Sequence, residues 1–229
     1  MEGKWTAMTP DQRGNILYWR YQDRTLYIRG QGCLVLPNGT PWKMYISEIR
    51  HVVIGQGCTS ICADAFYGHR MKTVSLPDTL TRIGAYAFCN CVRLTEITIP
   101  GSVNRIENYA FCSCHALQSV TLGEGVRVIE YKAFAYCQLP SLFLPASARK
   151  IYNCAFLVYG PITVAKDNPW FTSVDGVLFD KELRSQYWCP REAVACYSGG
   201  LWKPSQMHIK SNMPLSARSD ENLGAKSRN

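Results

Sequence analysis

The chain has 229 residues, of which 47% are hydrophobic and 18% charged, and it carries a formal net charge of +8. It contains no apolar run of about 18 residues, which excludes a simple membrane-spanning helix, and residues 1–14 lack the apolar core of a secretory signal. Its basic residues gather into no long run, so the charge reads first as a solvated surface.

Residues 1–14 are polar and expected to be flexible, with Trp5 their only large apolar side chain apart from the methionines. Residues 15–48 read as a β-hairpin cap. Ile16 to Tyr21 and Thr25 to Arg29 are β-rich runs joined by Gln22-Asp23-Arg24. Gly30, Gly32, Pro37, Gly39 and Pro41 then mark a loop leading to Trp42. Asn38-Gly39-Thr40 fits a glycosylation sequon but reads more simply as a turn.

Residues 49–166 repeat one pattern. Ala-Phe recurs at Phe66, Phe88, Phe111, Phe134 and Phe156, spaced by 22, 23, 23 and 22 residues. Ile61, Ile83, Ile106, Ile129 and Ile151 precede each phenylalanine by a constant interval. Val52, Val74, Ile97, Val120 and Leu142 keep the same step, as do Ile54, Leu76, Ile99, Leu122 and Leu144. A period of about 20–29 residues on aliphatic positions marks a leucine-rich-repeat solenoid. Alternation within Glu96 to Ile99 predicts a short strand with Ile97 and Ile99 inward. Gly55, Pro77, Pro100, Gly123 and Pro145 each end that strand. Too few residues separate each phenylalanine from the next strand for a full helix. Five mainly β coils with short helical or irregular turns are expected, plus a partial sixth strand at Ile162-Thr163-Val164.

Residues 167–190 break the rhythm. Asp175-Gly176 lies between apolar runs and signals a hairpin, expected to project from the solenoid. Residues 191–229 carry no repeat and read as an irregular tail, rich in Ser, Asn and charge towards its end. Trp188 and Trp202 are candidates to cover the last coil.

Eleven cysteines raise the question of disulfides or metal. Cys91, Cys114 and Cys137 follow the repeat phenylalanine at one fixed position, taken by His69 in the first coil, and Cys89 and Cys112 hold another. Such columns suit reduced, packing thiols that donate to backbone carbonyls. Stacked coils about 5 Å apart also permit disulfides. Four converging zinc ligands are not evident, and no metal or other cofactor is expected.

The run from Asp78 to Phe88, followed by Cys91 and Leu94, resembles the BspA-like, Treponema-type leucine-rich repeat. Leu26 to Gly32 with Pro41-Trp42 resembles that family's capping unit, and Asn168 to Phe171 with Val174 to Phe179 resembles its hairpin insertion. The resemblance implies a right-handed solenoid in a surface or secreted protein that acts in adhesion. Family chains usually resume repeats after the insertion, so a truncated or frame-altered gene is one reading of the tail.

Three functional readings follow. In the first, a non-enzymatic module binds a protein or surface glycan through outward strand positions, namely His51, Thr73, Glu96, Ser119 and Ser141, and beside them Val53, Ser75, Thr98, Thr121 and Phe143. β-Propensity and solvation account for these residues equally well. In the second, a basic column of Arg82, Arg105, Arg127, Arg149 and Lys150 binds a polyanion such as an acidic glycan or anionic surface. That column has no interleaved aromatics, which argues against nucleic acid. The third is an enzyme, which four histidines at unrelated repeat positions and the absence of a phosphate-binding loop do not support; no catalytic residue is assigned.

Overall fold

The computed structural model describes residues 4–36, 39–152, 154–157, 160–183 and 186–188. The alternation in each coil folds into two walls of short parallel strands. The first wall runs through Thr25–Gly30, His51–Ile54, Thr73–Ser75, Glu96–Ile99, Ser119–Leu122, Leu142–Leu144 and Ile162–Val164. Register keeps the inward rows in phase: Leu26, Val52 and Val74 lie opposite one another, as do Ile97 with Val120 and Leu142 with Ile162. The second wall comprises Gly32–Leu34, Cys58–Ile61, Arg82–Ile83, Arg105–Ile106, Val128–Ile129 and Lys150–Ile151. It brings the five repeat isoleucines into one row. The one helical element among the described residues is a 3-10 turn at Lys43–Tyr45. The molecule is a mainly β solenoid.

Each coil buries its apolar face against its neighbours. At the corner between second wall and return, the phenylalanine rings stack: Phe66–Phe88 at 5.1 Å, Phe88–Phe111 at 5.2 Å, Phe111–Phe134 at 5.1 Å and Phe134–Phe156 at 6.0 Å. Such ring pairs add about 0.5–1.5 kcal/mol beyond the area they bury. The alanine beside each phenylalanine is buried, and the carbonyls of Ala87, Ala110, Ala133 and Ala155 accept the phenylalanine N–H of the preceding coil at 2.8 Å. A larger residue would push the coils apart at this contact. The chain enters the corner through a left-handed residue in every coil: Asp64, Tyr86, Tyr109, Lys132 and Cys154 have φ between 53° and 58°.

The cysteine columns belong to this corner. The thiols of Cys91, Cys114 and Cys137 donate to the carbonyls of Phe66, Phe88 and Phe111 at 3.2, 3.1 and 3.2 Å. Every cysteine among the described residues is a free thiol.

Three expectations change. The stack begins before Ile49: Thr25–Gly30 and Gly32–Leu34 already occupy both walls, and Trp42 stacks on Phe66 at 5.7 Å as the first corner ring. The part of residues 1–14 that the structure describes is ordered. Thr6 and Ala7 pair antiparallel with Trp19 and Tyr18, and Met8 is buried. Asp11 accepts N–H bonds from Cys33, Asn15 and Arg13, which hold its carboxyl at about 2. Lastly, the late hairpin does not project. Phe171–Val174 and Val177–Asp180 pair around Asp175-Gly176, whose φ values of 51° and 79° suit a tight two-residue turn.

That turn folds back on the solenoid, because the Gly176 carbonyl accepts the Ile162 N–H at 3.0 Å. A Cβ at Gly176 would stand 2.5 Å from Pro161 Cβ, so glycine serves both the turn and the contact. Buried Asn168 fastens the segment. Its amide donates to the Pro145 and Ala148 carbonyls at 2.9 Å, and its oxygen accepts from the N–H groups of Trp170 and Phe171 at 2.8 Å. The sequon asparagine, the Trp188 side chain, Trp202 and residues 191–229 lie outside the described residues.

Candidate partner-binding surfaces

The outward positions of the first wall form two rows. Thr25, His51 and Thr73 are opposed in register, as are Glu96 and Ser119. Beside them Tyr27, Val53 and Ser75 are opposed, then Thr98 with Thr121 and Phe143 with Thr163. Most of these side chains are exposed; Thr25, Tyr27, Val53 and Thr73 are half-buried. His51 Nδ1 and Thr73 Oγ1 share a hydrogen bond of 2.8 Å across the first two coils. Ser141 precedes its strand and is exposed, and Phe143 is 50% exposed in the middle of the face. A large exposed ring among hydroxyls is the kind of group that anchors an interface.

The face does not stop at the first repeat. It continues across the antiparallel strand Leu17–Gln22, where Arg20 lies opposite Tyr27 and Tyr18 opposite Arg29. Here Trp5 packs between arginines, with Arg29 Cζ at 3.9 Å and Arg20 Cζ at 4.8 Å from the indole, while Arg20 Cζ also lies 4.9 Å from the Tyr27 ring. None of these residues entered the sequence-based site. The signal was available as alternate Tyr and Arg in the hairpin, but nothing in the sequence placed Trp5 beside them.

The basic residues of the second wall do not form a single column. Ser60, Arg82, Arg105, Val128 and Lys150 share one register, so buried Val128 interrupts it. Arg127 and Arg149 sit one residue earlier, where the Arg127 N–H reaches the Asn104 carbonyl and the Arg149 N–H the Arg127 carbonyl. A slip of one residue in a strand changes the face its side chain joins. Charge is uneven too. Arg82 pairs with Glu107 and Arg105 with Glu130, and each glutamate also accepts a backbone N–H, from Ala85 and Asn108 respectively. Arg127, Arg149 and Lys150 have no ion-pair partner among the described residues.

Aromatics do flank this wall, contrary to the expectation. Tyr86 and Tyr109 stack at 4.7 Å, and Tyr131 meets Tyr109 edge-on at 5.5 Å. Lys132 Nζ lies 5.1 Å from the Tyr131 ring, and Lys150 Nζ 4.8 Å from that of Tyr152. The tyrosine hydroxyls beside it hold the Lys132 ammonium above its usual value.

Of the three described histidines, His51 shares its hydrogen bond with the Thr73 hydroxyl on the first wall, and the other two are engaged with an indole or a backbone carbonyl. His69 is buried against Trp42, and His115 Nδ1 lies 3.1 Å from the Tyr136 carbonyl. The Cys114 thiol beside His115 in sequence is committed to the Phe88 carbonyl. Burial pushes the Cys91 thiol well up and Cys89 to about 12, and the neighbouring Cys114 sulfur, then burial, push Cys137 well up, away from the thiolate a nucleophile needs. Among the described residues no three His, Cys, Asp or Glu side chains gather as metal ligands.

The family model described as the BspA-type leucine-rich-repeat region matches residues 44–159 in 6 copies. The chain belongs to this family. No curated protein matches it. Among solved structures, this BspA-type chain is similar to a leucine-rich repeat protein from Eubacterium ventriosum, with a TM-score of 0.62 at 18% identity over 82% of this chain and 51% of that one. It is also similar to the pneumococcal vaccine antigen PcpA, with a TM-score of 0.57 at 20% identity over 81% and 56%. A leucine-rich cell surface protein from Faecalibacterium prausnitzii gives 0.50 at 22% identity over 81% and 62%. At such identities the likeness is one of fold. The chain spans less than two thirds of each of these structures. No helix among the described residues is long and apolar enough to cross a membrane.

Proposed function

We propose that this BspA-type solenoid is a non-enzymatic module that binds a protein partner through the outward face of its first wall, in a cell-surface, adhesion-type interaction. The observation that carries the reading is the continuity of that face. Outward rows run along stacked coils from the hairpin strand Leu17–Gln22 to Ile162–Val164, in register within three successive ladders, with Phe143 exposed among hydroxyls and Arg20, Tyr27 and Trp5 at one end. Solenoids characteristically bind along such extended surfaces. The likeness to PcpA, a vaccine antigen, and to the Faecalibacterium cell surface protein supports a surface location. The test is capture of cell-surface protein by the full chain and by a Thr73→Ala/Glu96→Ala/Phe143→Ala variant. Loss of capture with unchanged circular dichroism is expected; undiminished capture sinks the face.

A second reading is favoured by one specific observation: Arg127, Arg149 and Lys150 have no ion-pair partner among the described residues, and Lys150 lies against Tyr152. It assigns polyanion binding to the last two coils of the second wall rather than to Arg82 and Arg105.

A further inference from the structure

The Trp5 cluster has more chemistry than a fastening needs. Two guanidiniums lie against one indole, at 3.9 and 4.8 Å, and Arg20 adds Tyr27 at 4.9 Å. Cation–π contact engages the ring face and leaves guanidinium N–H donors available for in-plane acceptors. Neither Arg20 nor Arg29 has a carboxylate partner among the described residues, and Arg20 Nε is buried without any hydrogen-bond acceptor.

We propose that Arg20 and Arg29, held by Trp5, form a carboxylate-binding anchor for an acidic, extended segment of the protein partner. The inference rests on the strand-face reading and names the partner chemistry at one end of that face. Guanidinium forks match carboxylates two bonds at a time, and arginines already held by stacking lose little freedom on binding. Both guanidiniums lie against one ring, at 4.8 and 3.9 Å, so one extended acidic segment can meet the pair. Charge complementarity selects the partner: an acidic segment meets two cations that no carboxylate among the described residues pairs with.

The test uses the full chain and a fluorescein-labelled peptide of alternating Glu and Thr, followed by anisotropy, with a Gln/Thr peptide as control. The Glu/Thr peptide binds and the control does not. Arg20→Gln and Arg29→Gln each weaken binding by about tenfold or more. Arg29→Lys, which keeps the charge and the cation–π contact but loses the fork, weakens it several-fold with an unchanged thermal melt. A role confined to fastening Trp5 predicts full binding in Arg29→Lys and overturns the proposal. So does undiminished binding in both glutamine variants, or a chain that ignores the peptide but loses a sulfated glycan when Arg29 is changed. The strand face is read separately. If Thr73→Ala/Glu96→Ala/Phe143→Ala leaves both peptide binding and partner capture intact, the face fails and the arginine anchor stands.

Discussion

The indole N–H of Trp42 donates to Nε2 of His69 at 3.1 Å inside the first corner of the stack, where both side chains are buried. In three later coils a cysteine stands where His69 does, and its thiol reaches the phenylalanine carbonyl one coil back. Trp42 is the only corner ring among the described residues that carries a donor, and sulfur accepts weakly. The first coil therefore has histidine where the next three have cysteine.

This pairing makes stability depend on pH. With Nε2 accepting, the His69 proton sits on Nδ1, facing the Tyr67 carbonyl at 3.3 Å. Burial pushes the imidazole below its usual 6.5. As pH falls below about 6.5, the unfolded chain takes up this proton before the folded one. The contribution of His69 is whole above that pH and declines as pH falls through the lowered folded value. Urea midpoints measured on either side of about pH 6.5 should show the decline, and His69→Gln should flatten that part of the profile.

Phe111→Ala should cost about 3–5 kcal/mol, since it opens a cavity between rings stacked at 5.2 and 5.1 Å. Each coil rests only on its neighbours, so the loss should also lower unfolding cooperativity. Urea unfolding followed by circular dichroism checks both. Phe143→Ala, on the outer face, should stay within about 0.5 kcal/mol of the parent.

The repeat was legible because every column keeps phase through the array. Trp42 reads in sequence as part of the cap rather than as a corner ring, since it precedes Phe66 by 24 residues and follows Pro41 rather than alanine. The basic column was misdrawn for a related reason. The coils differ in where arginine falls, and a one-residue offset between Arg105 and Arg127 is invisible until strand register is known. The turn at Asp175-Gly176 could be read from local chemistry, but its return onto Ile162 depends on a hydrogen bond between distant segments. Trp5 met Arg20 and Arg29 through a strand of two residues, too short to leave a pattern.

Retention on heparin separates the two halves of the second wall. Arg127→Ser/Arg149→Ser should elute at lower salt than the parent, whereas Arg82→Ser/Arg105→Ser should shift little, because those guanidiniums already face Glu107 and Glu130. Equal shifts would mean that the ion pairs do not neutralise them.

Thiol labelling of the native protein should spare Cys91, Cys114 and Cys137, which are buried and donate to backbone carbonyls, and mark half-exposed Cys33 and Cys154 first. Peptide mapping after brief alkylation reads the order. Early labelling of Cys114 would contradict the packing given for the corner. Cys114→Ala should cost about 1–3 kcal/mol from the lost methylene-sized contact and hydrogen bond together.

The most direct measurement is site-specific photo-crosslinking of the full chain to cell-surface protein. A photoreactive side chain at Thr98, in the middle of the outward face, should give protease-sensitive adducts that excess unlabelled chain competes away. The same group at Glu124, in the turn after the neighbouring strand, should give few. Equal yields at the two positions, or Thr98 adducts that resist protease and yield to glycosidase, would contradict protein recognition by this face.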